Sequence, residues 1–266
     1  MFRQWFLRKI KDLNRCRDSQ LKKTIVVIPA RYGSTRFEAK VLAKDTGKFL
    51  VQHTYEQALC AKSVDNVLIA TDSDIVRDAC KTFGAECIMT SPAHQSGTDR
   101  IAEAVKDIPA DVIINLQADE PEIEPAYIDN LAQLLAGDPD ADIATLVAEF
   151  ENPAQIADAN IVKVVTDTNG RAIYFSRSVI PYDRLAGGIG PTDGYRRHLG
   201  IYAFRRDALL RFTALEQSSL EKIEKLEQLR AIENGMTIVT GKVDRVWDGI
   251  DTPTQYAEFV KRVQKS

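Results

Sequence analysis

Arginine and lysine side chains follow an apolar run early in the chain, in the segment "VVIPARYGSTRFEAK" (residues 26–40), called the elbow below. Small residues such as Ser34 let backbone N–H groups approach an anion. Arg31, Arg36 and Lys40 supply fixed positive charge. The elbow is neither a P-loop nor a G-x-G-x-x-G motif, and cationic side chains in a loop are usually only solvated. Its position at the end of a predicted strand nevertheless favours a polyphosphate-binding site.

Acidic side chains follow two later apolar runs. Asp119 and Glu120 lie in "NLQADEPEI", directly after a predicted strand, and Asp248 and Asp251 lie in "VWDGIDTP". Carboxylates there suit Mg²⁺, which proteins hold with one or two carboxylates and the phosphates of a substrate. Taken alone, Asp251 is more typical of an ordinary helix N-cap. Together with the elbow, the acidic segments predict a site where Mg²⁺ and arginines share the charge of a nucleoside triphosphate.

Short β-branched runs alternate with helix-like stretches from Thr24 onward. This alternation predicts an α/β fold with a mixed, mostly parallel central sheet flanked by helices. Asn169-Gly170 between two alternating apolar runs predicts a hairpin with a tight primed turn, and hence antiparallel strands in the second half. Ligands of such sheets bind beyond the carboxyl ends of the strands, which is where the charged segments fall.

A helix is predicted from Ser218, which begins a capping box, to the stop at Gly235. Its apolar residues step by three and precess around the helix, so more than one side should be contacted. Glu224, Glu227 and Gln228 share one patch of this helix. On spacing alone, the patch is more typical of a solvated polar face than of a binding site.

The composition is that of a soluble globular chain, with 266 residues, 44% hydrophobic and 27% charged. No apolar run is long enough to predict a membrane-spanning helix. The four cysteines lack the spacing of a metal site or a disulfide framework, which predicts reduced thiols and a cytoplasmic protein. No internal repeat or nucleic-acid motif is present, so nucleic acid is not expected as a partner.

Residues 1–23 form a basic N-terminal extension with eight Lys/Arg and two Asp, ahead of a predicted domain at 24–266. Aromatic residues such as Phe2 and Trp5 share one helical face, which predicts weak contact of residues 1–20 with an anionic membrane surface. A helix packed on its own domain, or a loosely ordered extension, is the commoner outcome for such a segment.

Seven ordered segments of the chain resemble one enzyme family. They are "IPARYGSTRFEAK", "HQSGTDR", "LQADEP", "YFSRSVIPYDR", "RHLGIYAFR", "LEKIEKLEQLR" and "GIDTP". Over roughly residues 24–263 they are similar to the 3-deoxy-D-manno-octulosonate (Kdo) cytidylyltransferases, or CMP-Kdo synthetases, of Gram-negative bacteria. The resemblance implies one α/β nucleotidyltransferase domain, of the nucleotide-diphospho-sugar transferase type, with a small dimerisation lobe. It also implies a homodimer that catalyses CTP + Kdo → CMP-Kdo + pyrophosphate with Mg²⁺, for lipopolysaccharide biosynthesis.

The resemblance assigns the charged segments to the nucleotide and the metal. Arg31 and Lys40 would neutralise the triphosphate and the departing pyrophosphate, and Asp119 and Asp251 would hold Mg²⁺. The residues implied around the nucleotide are Ser34, Ser96, Gly97 and Arg100. Because phosphoryl transfer leaves little covalent work to a protein, positioning and charge neutralisation would carry catalysis.

The resemblance also implies a set of residues around the sugar. They are Gln117, His198, Tyr202, Glu227 and Gln228, whose donors and acceptors could read several hydroxyl groups. Arg177 and Arg184 are the candidates for pairing with the sugar carboxylate, since the planar guanidinium fits a carboxylate. The assignment of Glu227 and Gln228 overturns the solvated face that their spacing alone favours.

Three segments depart from the pattern of the family. Phe37-Glu38-Ala39 replaces the usual Leu-Pro-Gly in the elbow, Ala118 replaces a glycine, and Trp247-Asp248-Gly249 replaces Gly-Thr-Gly. An altered acceptor is therefore an alternative, with 8-amino-Kdo or a nonulosonic acid in place of Kdo. A catalytically degenerate nucleotide-binding homologue is the alternative from another class. The presence of both Asp119 and Asp251 argues against it, because a binding relic needs no pair of metal carboxylates.

Overall fold

Nine strands pair into one mixed sheet in the computed structural model, which describes residues 23–33 and 37–265. The strands are β1 (Thr24–Pro29), β2 (Asn66–Thr71), β3 (Glu86–Met89), β4 (Val112–Asn115), β5 (Ile143–Ala148), β6 (Lys163–Thr166), β7 (Ala172–Ser176), β8 (Arg197–Arg205) and β9 (Ile238–Val243). Their order is β3-β2-β1-β4-β8-β5-β9, and β6 pairs with β7 and β8. Strands β1 to β4 are parallel, β8 is antiparallel to β4 and β5, and β9 is parallel to β5. The predicted fold class is confirmed.

Helices cover both faces of this sheet. Those of the described residues are α1 (Leu50–Leu59), α2 (Asp74–Thr82), α3 (Gly97–Ala104), α4 (Pro125–Gly137), α5 (Pro153–Ala157), α6 (Arg206–Ala214), α7 (Ser219–Glu224), α8 (Gln228–Glu233) and α9 (Pro253–Val263). Helices α1, α2 and α4 pack on one face with Val26 and Ile28 of β1. Helices α3, α6 and α8 pack on the other face with Ile25 and Val27. Because β1 is buried on both faces, its sequence is continuously apolar.

The predicted hairpin is formed by β6 and β7, but its turn is not a tight primed one. A type I′ turn needs positive φ at both central residues, whereas Gly170 has a φ of 79° and Asn169 does not have a positive φ. The Asp167 amide donates to the Arg171 carbonyl at 2.8 Å, so the turn is longer. The Asp167 carboxylate accepts from the amides of Asn169 and Arg171, each at 2.8 Å. This aspartate capping stabilises the longer turn and explains why the prediction was wrong.

The predicted helix after Ser218 begins with the expected capping box, in which Glu221 is the second partner. It is not continuous, because Lys225 adopts the left-handed conformation with φ 55° and ψ 46° and ends α7 at Glu224. A second helix, α8, begins at Gln228. Apolar residues spaced by three turn steadily around one straight helix. The break lets two short helices present different sides to the core, which one helix could not do.

Two predicted features lie outside the described residues. They are the basic extension at residues 1–22 and the elbow residues Ser34 and Arg36. The membrane contact of residues 1–20 and the nucleotide contact of Ser34 therefore stay predictions. No helix within residues 23–33 and 37–265 is long and apolar enough to cross a membrane.

Candidate active site

Lys40 lies between two carboxylates from distant parts of the chain. Its Nζ donates to Asp119 Oδ2 at 2.7 Å and to Asp251 Oδ1 at 2.9 Å. The Lys40 side chain is 9% exposed, whereas those of Asp119 and Asp251 are 26% and 41% exposed. Burial lowers the pKa of Lys40, but the two carboxylates outweigh burial and the pKa is raised. A charged ammonium therefore lies beneath two carboxylates that face solvent.

The elbow places Lys40 through an unusual backbone conformation. Ala39 has φ 50° and ψ 26°, in the left-handed region, and the 3-10 turn Lys40–Leu42 follows directly. An L-residue pays about 1–2 kcal/mol for this conformation, which glycine adopts freely. Phe37 anchors the elbow from the other side, because its ring packs on Tyr256 with centroids 5.5 Å apart. In this elbow Phe37 is therefore an aromatic anchor, and the backbone of Ala39 is strained where the family pattern has glycine.

The two acidic segments are joined by their backbones. Asp119 lies beyond the end of β4, and its carbonyl accepts a hydrogen bond from the Ile250 amide at 2.8 Å. Thr252 is the N-cap of α9 and accepts from the Gln255 amide. Since Thr252 performs the capping, the carboxylate of Asp251 is available to Lys40. The N-cap alternative for Asp251 is therefore wrong.

Asp119 lies where two pockets meet. The first, the elbow pocket, is lined by Pro29, Arg31, Gly33, Lys40, Val41, Gln95, Gly97, Gln117, Ala118 and Asp119. The second, the wide pocket, has a volume of about 720 Å³ and includes Asp119, Glu120, Arg197, His198, Tyr202, Gln228, Asp248 and Asp251 in its lining. A small polar molecule fits in each pocket. Two ligands bound there would meet at the Asp119 carboxylate.

Strand direction explains why these side chains share one edge of the sheet. Strands β1 and β4 are parallel and deliver the elbow and Asp119 at their carboxyl ends. Strand β8 is antiparallel to β4, with Tyr202 opposite Asn115, so the amino-terminal end of β8 lies at the same edge. His198 thereby reaches the wide pocket.

His198 is a neutral hydrogen-bonding group in the wall of the wide pocket. Its Nε2 lies 3.0 Å from Thr145 Oγ1, whose single hydrogen has two carbonyl acceptors within reach, Ile201 at 2.9 Å and Leu199 at 3.1 Å. A hydroxyl that donates to either carbonyl accepts from His198, which favours the Nε2–H tautomer and leaves Nδ1 as an acceptor. Burial lowers the pKa of His198 to about 3, so the ring stays neutral at physiological pH.

Glu120 is the carboxyl group of the wide pocket with the most perturbed acidity. Burial raises the pKa of Glu120 to about 8, with a further contribution from the neighbouring Asp119 and with Arg197 opposing it. The guanidinium of Arg197 pairs with Asp248 at 2.5 Å. The sequence places Glu120 among the strand-end carboxylates that suit Mg²⁺ but does not predict its raised pKa, and Arg197 was missed. A residue directly beside a predicted metal carboxylate is the signal that could have singled out Glu120.

Glu227 does not line the wide pocket with its neighbour Gln228. Its Oε2 accepts from Thr98 Oγ1 at 2.7 Å, and its Oε1 is buried without a hydrogen-bond partner among the described residues. Glu227 lines a separate cleft together with Ser96, the N-cap of α3. Burial raises the pKa of Glu227. The two residues point apart because Glu227 has helical backbone and Gln228 begins α8, and successive residues of a helix project about 100° apart.

Two predicted arginines are not brought to either pocket. Arg100 is fully buried and donates to Asp72 at 2.7 Å and to Thr90 at 2.6 Å. Arg177 donates its Nε to the Glu224 carbonyl at 2.7 Å. Both guanidinium groups thus form hydrogen bonds within the protein. The structure does not support their predicted contacts with substrate. Arg197 is the arginine that the wide pocket presents.

The other departures from the family pattern are accommodated locally. Ala118 is buried and has no positive φ, so its position does not require glycine. Trp247 lies under the guanidinium groups of Arg245 and Arg262, 5.4 and 5.8 Å from the ring centroid. Glu38 is exposed. None of these residues displaces Lys40 from its two carboxylates.

Comparison with known proteins identifies the family. The chain matches the family model described as cytidylyltransferase over residues 25–238. The chain belongs to the cytidylyltransferase family. A 3-deoxy-manno-octulosonate cytidylyltransferase of Solibacter usitatus is 45% identical over 245 residues, which cover 92% of this chain and 96% of the relative. The enzyme of that name from Thermodesulfovibrio yellowstonii is 46% identical over 240 residues, 86% of this chain and 94% of the relative.

Solved structures place this cytidylyltransferase in the same fold. A structure of CMP:2-keto-3-deoxy-manno-octonic acid synthetase complexed with CTP superimposes with a TM-score of 0.86 at 42% identity, covering 91% of this chain and 99% of the other. The 4-diphosphocytidyl-2C-methyl-D-erythritol synthase of Anaerococcus prevotii superimposes with a TM-score of 0.62 at 12% identity, covering 92% and 100%. The second likeness concerns the fold alone.

The perturbed Glu120 generates a prediction about stability in metal-free buffer. Between pH 4.5, its ordinary pKa, and about 8, the unfolded chain releases a proton that the folded protein retains. Glu120 therefore lowers the free energy of unfolding progressively as the pH rises through this window. We expect Glu120→Gln to be more stable than the wild type at pH 9 and to differ less at pH 5. Urea unfolding with a chelator at both pH values measures this, and an equal difference at both would contradict it.

Proposed function

We propose that this cytidylyltransferase transfers CMP from CTP to Kdo, or to a close Kdo-like sugar acid, and releases pyrophosphate, for lipopolysaccharide biosynthesis. The observation that carries the proposal is the contact of Lys40 with Asp119 and Asp251 where two substrate-sized pockets meet. The relatives that bear this activity in their names are similar over nearly their whole length. Nucleotide in the elbow pocket and sugar acid in the wide pocket would bring the reacting atoms together at Asp119.

The reaction joins the anomeric oxygen of the sugar to the α-phosphorus of CTP. The bond from that phosphorus to the bridging oxygen of the β-phosphate breaks, pyrophosphate leaves, and the anomeric hydroxyl loses its proton. Arg31 and Lys40 line the elbow pocket and would neutralise charge on the triphosphate and the leaving group. A Cβ on Gly97 would lie 3.2 Å from the Pro29 ring, so glycine allows α3 to begin close against Pro29 in this pocket.

Asp119 and Asp251 are the residues that would hold Mg²⁺. Both carboxylates hydrogen-bond to the same ammonium, so one cation already bridges them in the structure. Residues 23–33 and 37–265 contain no cluster of three or more His, Cys, Asp or Glu that could hold a metal. Two carboxylates suit Mg²⁺, which takes its other ligands from phosphates and water. When bound, the ion would supply charge neutralisation and increase the acidity of the anomeric hydroxyl.

The wide pocket offers a mixed set of contacts for a sugar acid. His198 presents an acceptor nitrogen, and Tyr202 and Gln228 add a hydroxyl and an amide. Arg197 is the cation in this pocket, and we assign the sugar carboxylate to it in place of Arg177. Gln117 lies in the elbow pocket, so we assign it to the nucleotide side.

We also propose a cytoplasmic homodimer. Cys60, Cys80 and Cys87 are free thiols, which suits a reducing compartment. We assign the dimerisation lobe that the resemblance implies to the segment after β7, in which Leu185 is fully exposed and Tyr182 is 67% exposed. Exposed apolar side chains on one surface are typical of an interface.

Pyrophosphate release tests the proposed reaction. With CTP and Mg²⁺, we expect release with Kdo and a loss of at least about a hundredfold in Asp119→Asn, because the metal loses a charged ligand. Parallel assays with 8-amino-Kdo and N-acetylneuraminate examine the acceptor. Release only with another acceptor would correct the substrate, and silence with all three, without CTP binding, would favour the degenerate homologue.

Lys40→Met tests the competition between the ammonium and a divalent cation. Without nucleotide, we expect the variant to bind Mn²⁺, a spectroscopic substitute for Mg²⁺, more tightly than the wild type, because Lys40 no longer occupies both carboxylates. Turnover should fall by roughly 10²–10³, since the triphosphate loses a fixed positive charge. Electron paramagnetic resonance of free Mn²⁺ and the pyrophosphate assay measure the two effects. Lys44→Met is the matched control, and wild-type behaviour of Lys40→Met in both assays would contradict this role.

Leu185→Asp tests the interface. A buried charge in an apolar contact is costly, so we expect the variant to sediment as a monomer at concentrations where the wild type sediments as a dimer. Ile75→Asp, which changes an exposed apolar residue of α2, should leave the dimer intact. A dimer of Leu185→Asp as stable as that of the wild type would move the interface elsewhere.

A further inference from the structure

A chain of hydrogen bonds runs from Gln117 in the elbow pocket to Glu227 in the separate cleft. Gln117 Nε2 donates to Asn115 Oδ1 at 2.8 Å, and Asn115 Nδ2 donates to Thr98 Oγ1 at 3.2 Å. Thr98 Oγ1 in turn donates to Glu227 Oε2 at 2.7 Å. Asn115 and Thr98 are 2% and 1% exposed, so their polar atoms have little access to solvent. The sequence offers one signal for this chain, the polar Asn115 inside the apolar run "VIINL".

The hydrogen bonds of this chain all run in one direction, from Gln117 toward Glu227. The Thr98 hydroxyl donates its single hydrogen to Glu227 Oε2. The Thr98 oxygen can then only accept from Asn115, which must turn its NH₂ group toward it. The Asn115 carbonyl oxygen therefore faces Gln117, which donates a hydrogen bond to it from its own NH₂ group.

Each end of the chain offers an acceptor to a ligand. At one end, Gln117 lines the elbow pocket, and its Oε1 receives no hydrogen bond from the described residues. At the other end, Glu227 Oε1 is buried and without a partner among those residues. Ser96 also lies within hydrogen-bonding reach of Glu227. A buried acceptor without a donor costs free energy, which a ligand hydroxyl or amine would recover.

We propose that Thr98 and Asn115 are positioning residues that lock the Gln117 amide with its carbonyl oxygen toward the elbow pocket. This inference rests on the proposed function, in which that pocket receives the nucleotide. Gln117 then acts as a hydrogen-bond acceptor and selects a ligand that carries a hydroxyl or amine donor there. Without the chain, the amide could turn over and present its NH₂ group instead, which would repel the same donor.

A double-mutant cycle between Thr98 and Gln117 tests the lock. The two side chains are not hydrogen-bonded to each other but are linked through Asn115. We expect Gln117→Leu to raise the KM for CTP roughly tenfold, the effect of one lost hydrogen bond, with a smaller change in kcat. Thr98→Val should raise the same KM, and the double variant should be no worse than Gln117→Leu alone. Additive effects on this KM would overturn the proposal.

Two controls separate hydrogen bonding from packing. Thr98→Ser keeps the hydroxyl and should restore the KM for CTP to within about twofold of the wild type. Thr71→Val removes another buried threonine hydroxyl, outside the chain of hydrogen bonds, and should leave the KM unchanged. Failure of Thr98→Ser to restore the KM would mean that the methyl group of Thr98, and not its hydroxyl, is what matters.

A measurement without substrate separates failure of this inference from failure of the proposed function. In protein labelled with ¹⁵N-glutamine, the side-chain NH₂ signals of Gln117 are identified by their loss in Gln117→Leu. We expect Thr98→Val to shift the hydrogen-bonded proton of Gln117 toward the position of a solvated amide, and Thr98→Ser to leave it unchanged. Unchanged signals in Thr98→Val would overturn the lock even if pyrophosphate release is found. If the Gln117 signal shifts in Thr98→Val but the wild type releases no pyrophosphate, the lock is retained and only the proposed reaction is rejected.

Discussion

The contact of Lys40 with Asp119 and Asp251 is the interaction on which the site depends. The three residues are separated by 79 and 211 positions in the chain, yet one ammonium reaches both carboxylates. Two carboxylates at this separation repel each other unless a cation lies between them. Lys40 removes this repulsion in the structure, and a metal ion on the same carboxylates would do the same. The left-handed Ala39, which costs about 1–2 kcal/mol, is retained at the position that directs Lys40 to them.

The topology of the sheet supplies the geometry that this cluster requires. Strands β1 and β4 are parallel neighbours, so the elbow and Asp119 leave the sheet side by side. Strand β8 runs the other way between β4 and β5, which brings its beginning, with His198, to the same edge. An all-parallel sheet would have placed His198 at the opposite edge from Lys40. The antiparallel direction of β8 thus places the wall of the wide pocket at the same edge of the sheet as the elbow.

Residue type and position predicted that the elbow and Asp119 would lie together, because ligands of such sheets bind beyond the carboxyl ends of the strands. Asp251 taken alone indicates an N-cap, and only its combination with the other charged segments and the family resemblance predicts that it joins them. Arg100 was predicted near the nucleotide but lies buried against Asp72, a pairing that the sequence does not reveal. Glu224, Glu227 and Gln228 form one patch only on a continuous helix, and the left-handed Lys225, which no local pattern predicts, separates Glu224 from the other two. Glu227 and Gln228 then line different pockets because successive helical residues project about 100° apart.

Charge balance explains why the site combines a lysine with acidic groups. A triphosphate and a sugar acid are both anionic, and the wide pocket already contains Asp119, Glu120, Asp158, Asp248 and Asp251. Without cations, two anions would have to approach each other and five carboxyl groups at once. Lys40 has three donors and uses two of them on Asp119 and Asp251, which leaves one for a phosphate oxygen. A divalent cation on the same carboxylates would free the other two donors. The Lys40 ammonium could then stabilise the negative charge that develops on the departing pyrophosphate.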